Sequence, residues 1–349
     1  MSTSAPVATH RRPAVENPVV LRVEGLDVDI RTPAGTVRAV SDAGFEVRAG
    51  RTLALLGESG CGKSMTAKAV VGLLDPVASV TGGSIELDGE ELTTMSAKQR
   101  RRIAGEELGI VFQDALTALN PVYPVGVQIG EAFRIHRGLS AAQAKREAVE
   151  LMRRVGIPEA EHRVNAYPHQ FSGGMRQRIL IAAAVALSPK LLIADEPTTA
   201  LDVTVQAQIM ELLRTLREEQ QMGVVLITHD LAVVAEEADD VTVMYAGTVA
   251  ESGPVDEVFT RPRHPYTKGL LESVPVDGER GAALSSIPGS PPELKNIPPG
   301  CVYQDRCPLA ADRCRAERPA LREVAPGHRA ACHFSELLAA DTTSEEITS

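Results

Sequence analysis

The stretch TLALLGESGCGKSMTAKAVVGLL, residues 52–74, constrains the fold more than any other part of the chain. A short apolar run leads into the pattern Gly-x4-Gly-Lys-Ser, and a helical pattern follows at once. The glycines let successive backbone N–H groups point into one concavity at the positive end of a helix dipole, which favours phosphate. The stretch therefore predicts a phosphate-binding loop between a buried strand and a helix. Its residues are Gly57, Glu58, Ser59, Gly60, Cys61, Gly62, Lys63 and Ser64.

Two side chains of this loop indicate what it binds. Lys63 would reach the β- and γ-phosphates of a nucleotide, and the Ser64 hydroxyl would bind Mg²⁺. We interpret Cys61 as a small residue at a position where only the backbone matters, rather than as a reactive thiol. A chance glycine-rich turn is the alternative, but a strand before the loop and a helix after it argue against chance.

A second buried run, LLIADEP at residues 191–197, ends in two acids. Asp195, at the end of the strand, can bind Mg²⁺ through water. Glu196 follows where a general base or a water-positioning group is needed beside a γ-phosphate. Acids at strand ends are common, so this interpretation depends on the phosphate loop.

The stretch HQFSGGMRQRILIAAAVAL, residues 169–187, predicts a second anion site. Ser172, Gly173 and Gly174 open a helix and offer a hydroxyl and N–H groups to an anion at its N-terminus. A chain with one phosphate loop does not need a second phosphate site for its own nucleotide. We therefore expect this site to serve a nucleotide held by another subunit.

Composition and chain organisation limit the other possibilities. The 349 residues are 44% apolar and carry a net charge of −10, which argues against a nucleic-acid binder of the basic-patch kind. The longest apolar run, ILIAAAVAL, is too short to span a bilayer, so we expect the chain to stay on the cytoplasmic side of a membrane.

Strand and helix patterns alternate from about residue 19 to 261, as in an α/β protein with a largely parallel sheet. Proline and glycine become frequent after that point. The polar ends, residues 1–18 and 338–349, are predicted to be flexible tails.

The ordered motifs resemble those of the ATP-binding-cassette family, over residues 19–261. After the phosphate loop come VFQD with Gln113, the signature FSGGMRQR, the acidic strand, ALD at 200–202 and THD with His229. The resemblance implies that Gln113 contacts Mg²⁺ or the attacking water and couples to a membrane partner. It implies that His229 contacts the γ-phosphate and that Asp202 belongs to a loop crossing a dimer interface.

The resemblance also implies a fold. It is an α/β P-loop ATPase cassette with a helical subdomain at about 115–185, followed by a small cysteine-containing C-terminal domain at 262–337. Two departures from the family pattern stand out: Phe171 and Met175 flank the signature, and no aromatic residue between positions 18 and 44 offers itself for stacking on adenine.

Three further stretches narrow the resemblance. They are PTTALDVTVQAQIMELL after the acidic strand, FQDALTALNP at 112–121 and RHPYTKGLLESVP at 263–275. They look like the ATPase subunits of oligopeptide, dipeptide and nickel importers, of the type that pairs with a second, non-identical ATPase. This implies ATP-driven uptake of di- or oligopeptides, two transmembrane permease subunits, an extracytoplasmic substrate-binding protein and no nucleic-acid partner. Import of nickel or another small solute, a soluble cassette ATPase acting on nucleic acid or ribosomes, and a redox or iron sensor are the alternatives.

Four of the five cysteines form the pattern C-x5-C-x6-C-x17-C near the end of the chain. The close C-x2-4-C pairs of structural zinc are missing, and disulfides rarely persist in the cytoplasm. Four thiolates can hold an iron–sulfur cluster, so a cluster, zinc and unliganded thiols all stay open on spacing alone. The resemblance implies a four-iron four-sulfur cluster at Cys301, Cys307, Cys314 and Cys332.

Overall fold

The computed structural model describes residues 17–199, 201–273 and 286–338. The predicted tails at 1–18 and 338–349 therefore lie almost wholly outside the described residues. Ala200, the first residue of the ALD motif, also lies outside them.

The strands of the described residues form two sheets. A four-stranded antiparallel sheet has the order β2-β1-β4-β5, and an eight-stranded mixed sheet has the order β11-β12-β10-β9-β3-β8-β7-β6. In chain order the strands are β1 (Val19–Thr32), β2 (Gly35–Arg48), β3 (Thr52–Leu56), β4 (Ala78–Leu87), β5 (Glu90–Glu91), β6 (Leu108–Val111), β7 (Leu191–Asp195), β8 (Gly223–Ile227), β9 (Asp240–Tyr245), β10 (Thr248–Pro254), β11 (Arg322–Ala325) and β12 (His328–Ala330).

Parallel strands form the centre of the larger sheet. β3 lies between β8 and β9, and β8, β7 and β6 follow in parallel order. Every residue of β3, β7 and β8 is buried, because both faces of a parallel sheet are covered. The predicted α/β fold is confirmed. Since the carboxyl ends of parallel strands meet at one edge, the segments after β3, β7 and β8 converge there.

Helices cover the sheets and build a separate helical region. They are α1 (Lys63–Val71), α2 (Ala97–Ile103), α3 (Ala115–Ala118), α4 (Val125–His136), α5 (Ala141–Arg154), α6 (Ala160–Arg163), α7 (Gly173–Ala184), α8 (Val203–Gln220), α9 (Leu231–Glu237), α10 (Val255–Thr260), α11 (Pro265–Glu272) and α12 (Asp312–Ala316). None of the helices in the described ranges has the length and apolar character needed to cross a membrane.

Helix α7 belongs to two cores. Ile179 lies in an apolar cluster with residues of α4 and α5, whereas Ile181 and Val185 lie in the cluster that includes β7 and β8. A rigid helix shared by two clusters can carry movement from one to the other.

The C-terminal segment shares the core of the main sheet. β12 pairs with β10 through Glu251↔Ala330, which adds β12 and β11 to the sheet beside β10. Leu56 lies in the same apolar cluster as Tyr303 and Cys301. The division at residue 262 stays a prediction.

A buried carboxylate joins this segment to β10. Glu251, fully buried, accepts hydrogen bonds from the backbone N–H groups of Arg263 and His264 at 2.6 and 3.0 Å. His328 Nε2 lies 2.7 Å from its Oε1, and because the carboxylate accepts, this nitrogen carries the proton. The Glu251 carboxylate thus accepts hydrogen bonds from two chain segments, at residues 263–264 and at His328.

Replacing Glu251 is expected to destabilise the fold. Glu251→Ala leaves buried donors without an acceptor, and we expect it to lower the free energy of unfolding by about 3 kcal/mol. Urea unfolding followed by circular dichroism measures the change, with Glu257→Ala, at an exposed site on α10, as the control. An equal, small loss in both variants would contradict this structural role.

Candidate functional site

The phosphate loop has a backbone that only glycine can form at its first position. Gly57 has φ of +149°, and a Cβ there would lie 2.2 Å from the Met244 carbonyl oxygen. The last residue of β3 is Leu56, so the loop begins as soon as the strand ends. Helix α1 starts at Lys63, at the other end of the loop. The strand, loop and helix occur in the predicted order.

The ammonium group of Lys63 is held inside the loop. Nζ donates to the carbonyl oxygens of Gly57 and Glu58 at 2.6 and 3.1 Å. It also lies 3.6 Å from the Cys61 sulfur, which is buried. Burial raises the pKa of the Cys61 thiol, although the charge of Lys63 opposes the shift. A protonated, buried thiol is consistent with Cys61 being a small packing residue.

Ser64 and Asp195 bring two oxygens together from different elements. The Ser64 hydroxyl, on α1, donates to Oδ1 of Asp195, at the end of β7, at 3.1 Å. Hydroxyl and carboxylate oxygens are the ligands that Mg²⁺ prefers, so this pair fits the ion. Burial raises the pKa of Asp195; the Ser64 hydrogen bond opposes the shift, and the charge of Glu196 adds to it. A divalent cation would relieve this penalty by stabilising the charged form.

Glu196 is the acceptor on which several side chains converge. Gln113 Nε2 and the Thr199 hydroxyl donate to its Oε2 at 2.7 and 2.9 Å. His229 Nδ1 lies 3.4 Å from its Oε1. The backbone N–H of Glu196 donates to the Ile227 carbonyl, which links Glu196 to the end of β8. The structure therefore brings together Gln113, Glu196 and His229, although their chemical roles stay predictions.

Thr199 is a residue that the sequence analysis missed. Its hydroxyl and the amide of Gln113 share one oxygen of Glu196, and so direct the other oxygen toward His229. The imidazole of His229 is 66% exposed, whereas the carboxylate is 18% exposed. No pattern in the sequence marks Thr199, because a threonine after a turn is common.

The signature residues lie at the start of α7, against the start of α8. Ser172 accepts a hydrogen bond from Met175 N–H at 3.4 Å, as an N-cap. A Cβ on Gly174 would lie 2.6 Å from the Val205 side chain, so α8 requires a glycine there. Asp202 caps α8 by accepting from Val205 N–H at 3.0 Å. Within the described ranges, no hydrogen bond links Ser172, Gly173 or Gly174 to the phosphate loop.

Both departures in the signature contact one arginine. The guanidinium of Arg163, on α6, lies over the Phe171 ring at 5.5 Å. Its Nη1 also donates to the Met175 sulfur at 3.1 Å. Phe171 and Met175 thus pack against the helical region.

Two residues from the C-terminal segment reach the phosphate loop, and the sequence analysis assigned neither a role there. The N–H of Glu58 donates to the Tyr266 hydroxyl at 2.9 Å. The Glu58 carboxylate accepts two hydrogen bonds from Arg306. Their separation from the loop in sequence hides both contacts from pattern analysis.

The four C-terminal cysteines are free thiols and largely buried. Burial raises the pKa of Cys307 to about 11 and that of Cys332 to about 12. The other cysteines add to both shifts, so the four groups are close enough to interact electrostatically. However, no three or more histidine, cysteine, aspartate or glutamate side chains among the described residues are arranged to hold a metal ion. The predicted iron–sulfur cluster therefore has no direct support here.

Two family models match the chain. The model for ABC transporters matches residues 40–199, and the model for the C-terminal region of oligopeptide/dipeptide transporters matches residues 250–314. The dipeptide transport ATP-binding protein DppD of Escherichia coli (strain K12) is 47% identical, covering 90% of this chain and 96% of that protein. A putative peptide import ATP-binding protein of Brucella abortus (strain 2308) is 49% identical, with the same coverage.

Solved structures of ATP-binding cassettes share the fold. The dimeric cassette MJ0796, in a post-hydrolysis state bound to ADP and Pi, has a TM-score of 0.61 and 25% identity. The match covers 67% of this chain and 98% of MJ0796. The cbiO1 cassette of Clostridium perfringens, part of a cbiONQ ABC transporter complex, has a TM-score of 0.58 and 29% identity. The match covers 69% of this chain and 90% of cbiO1.

The raised pKa of Asp195 predicts a stabilising substitution. Because burial penalises the charged form, Asp195→Asn should raise the melting temperature of the magnesium-free protein at neutral pH. The gain should shrink as pH falls through the raised pKa of folded Asp195, because protonation of the buried carboxyl removes the penalty on its charged form. Melting curves from about pH 8 to about pH 4 test this, with exposed Asp312→Asn as the control. A lower melting temperature for Asp195→Asn at neutral pH would contradict the prediction.

Proposed function

This chain belongs to the ABC transporter ATPases of the oligopeptide/dipeptide type, and from this premise we propose that it powers uptake of di- or oligopeptides. The peptide substrate is proposed from the names of the relatives and from the matching C-terminal region. The observation that carries an ATPase mechanism is the group of side chains around Glu196, next to Asp195 and Ser64.

We propose the following hydrolysis step. The N–H groups of the phosphate loop and the ammonium of Lys63 hold the phosphates of ATP. Ser64 and Asp195 would hold Mg²⁺, which would supply positive charge beside the transferred phosphate. Glu196 accepts a proton from water as the water oxygen bonds to the γ-phosphorus and the bond to the leaving ADP oxygen breaks. Gln113 and His229 orient Glu196 and the γ-phosphate.

We further propose that the signature serves a second ATPase subunit that is not identical to this chain. Ser172 and Gly173 are exposed at the start of α7, where N–H groups face outward. Val203, beside Asp202, is 83% exposed, as expected of a residue that a partner covers. Two such subunits would close over two ATP molecules, each held by one phosphate loop and the opposite signature.

The membrane partners follow from the importer assignment. We propose that two permease subunits hold this chain at the cytoplasmic face of the membrane and that an extracytoplasmic protein delivers the peptide. The region from α3 to α6 lies between Gln113 and the signature, so movement there would couple the nucleotide to the permease.

Replacing Glu196 tests the hydrolysis step. Glu196→Gln removes the proton acceptor but keeps the shape, so turnover should fall by about 10²–10⁴-fold while ATP binding stays intact. Phosphate release by the reconstituted transporter and ATP binding by the purified chain give the two quantities. Glu218→Gln, at an exposed site on α8, is the control. Turnover near that of the unaltered protein would remove Glu196 from this role.

We propose that Cys301, Cys307, Cys314 and Cys332 hold a four-iron four-sulfur cluster. Two observations support this: Cys301, Cys307 and Cys314 pack in one apolar cluster, and the Cys301 N–H donates to the Cys314 carbonyl at 2.7 Å. Four cysteine thiolates are the usual ligands of such a cluster. When bound, the cluster would fix the cysteine-containing segment in place. It is not required for any step of hydrolysis.

Metal content tests the cluster. Anaerobically purified protein should contain about four iron and four sulfide ions per chain and absorb visible light. Cys314→Ser should lose both, whereas Cys61→Ser in the phosphate loop should keep them. A colourless wild-type protein containing zinc, or no metal, would contradict the cluster.

A further inference from the structure

A buried arginine joins the cysteine-containing segment to the phosphate loop. Nη1 and Nη2 of Arg306 donate to the two carboxylate oxygens of Glu58 at 2.6 and 3.1 Å. The side chain of Arg306 is 4% exposed and that of Glu58 is 29% exposed. A guanidinium that makes two parallel hydrogen bonds to a carboxylate fixes direction as well as distance.

The other donors of Arg306 are engaged too. Nε donates to the Pro288 carbonyl at 2.8 Å, and Nη2 donates to the Ile287 carbonyl at 3.3 Å. Nη1 reaches the Tyr245 hydroxyl at 3.3 Å, and the guanidinium lies 5.7 Å from the centre of that ring. A planar group held on all these sides has one orientation, so it can transmit a displacement instead of absorbing it.

Glu58 is held through its backbone as well. Its N–H donates to the Tyr266 hydroxyl at 2.9 Å, and its carbonyl accepts from Lys63 Nζ at 3.1 Å. Backbone N–H groups and the lysine are what such a loop offers to phosphate. The orientation of the Glu58 peptide therefore bears directly on the anion site, and Arg306 and Tyr266 both constrain that orientation.

The backbone around Arg306 is positioned by the turn that separates two of the cysteines. Arg306 N–H donates to the Tyr303 carbonyl at 3.1 Å, and Gln304 N–H donates to the Cys301 carbonyl at 3.2 Å. Cys307 follows Arg306 directly in the sequence. Three tyrosine rings pack with centroids 4.7–5.4 Å apart between this turn and the loop. They are Tyr245, Tyr266 and Tyr303.

We propose that Arg306 is a positioning residue of the phosphate loop, through which the cysteine segment, residues 301–314, sets the affinity for ATP. The inference rests on the proposed ATP site and goes beyond it, because it gives the C-terminal segment a part in nucleotide binding. The coupling is reciprocal. If a conformational change of the cysteine segment alters the free energy of ATP binding, then ATP binding alters the free energy of that conformational change by the same amount.

Nucleotide binding by a variant of Arg306 is the direct test. Arg306→Gln should raise the dissociation constant of the full chain for a non-hydrolysable ATP analogue about 10-fold, the scale of a lost charge-assisted hydrogen-bond pair. In the reconstituted transporter, KM for ATP should rise while kcat changes little, because Arg306 touches no reacting atom. Arg313→Gln, an exposed arginine in the same segment paired with Glu317, is the matched control and should leave both quantities unchanged.

A second variant distinguishes weaker nucleotide binding from loss of folding. Glu58→Gln removes the charge from the less buried partner and should weaken binding to a similar degree. Combining it with Arg306→Gln should add little further loss, because both changes break one interaction. If either single variant keeps its melting temperature yet binds the analogue within twofold of wild type, the proposal is overturned. If the losses of the two variants simply add, Arg306 does not act through Glu58, and the proposal fails.

Because the coupling is reciprocal, nucleotide binding should also change the cysteine segment. A purely structural role of Arg306 would not produce this change. In the wild-type protein as purified, the analogue should change the rate of backbone amide hydrogen exchange in the peptide containing residues 301–314, measured by mass spectrometry, and Arg306→Gln should abolish that change. Equal rates with and without the analogue in wild type would overturn the coupling. A wild-type chain that fails to bind the analogue at all would instead refute the ATP site itself.

Discussion

The parallel pairing of β3 with β8, and of β8 with β7, is the constraint on which the candidate site depends. The register places Leu55 opposite Ile227 and Ile227 opposite Asp195, so the three strands end at one level. The phosphate loop, the acids and His229 each follow one of these ends. Because every residue of these strands is buried, a slip in their register would disrupt close packing on both faces of the sheet. The short distances between Ser64 and Asp195 and between Glu196 and Gln113 are therefore a consequence of sheet pairing.

The sequence predicted the parts of the site that short-range pattern determines. A glycine pattern between a strand and a helix has few physical solutions, and Lys63 and Ser64 follow from it. The apolar run that ends in two acids located Asp195 and Glu196, whereas Gln113 and His229 were indicated only by the family resemblance. Thr199 was missed because its hydrogen bond to Glu196 depends on a turn whose shape the residue types do not specify.

Long-range contacts explain the other omissions. Arg306 meets Glu58 where the C-terminal segment packs against the main sheet, which this segment also joins through β12, a strand of three residues paired with β10. So short a strand has no detectable alternation in the sequence, so its pairing with β10 could not be predicted. The shared apolar cluster of Leu56 and Tyr303 links this segment to the strand that precedes the phosphate loop. The cysteine-containing segment therefore contacts the phosphate loop through Arg306, which the spacing of the cysteines could not indicate.

Transport by the assembled complex tests the central claim, that ATP bound by this chain powers peptide uptake. Proteoliposomes containing this chain, its partner ATPase and the permease subunits would be given ATP on the side of the ATPases and a labelled dipeptide with its binding protein on the other. The account predicts that dipeptide accumulates only with hydrolysable ATP, and that the peptide-loaded binding protein raises the rate of ATP hydrolysis. Steady ATP hydrolysis that neither moves a dipeptide or oligopeptide nor responds to the loaded binding protein would contradict it.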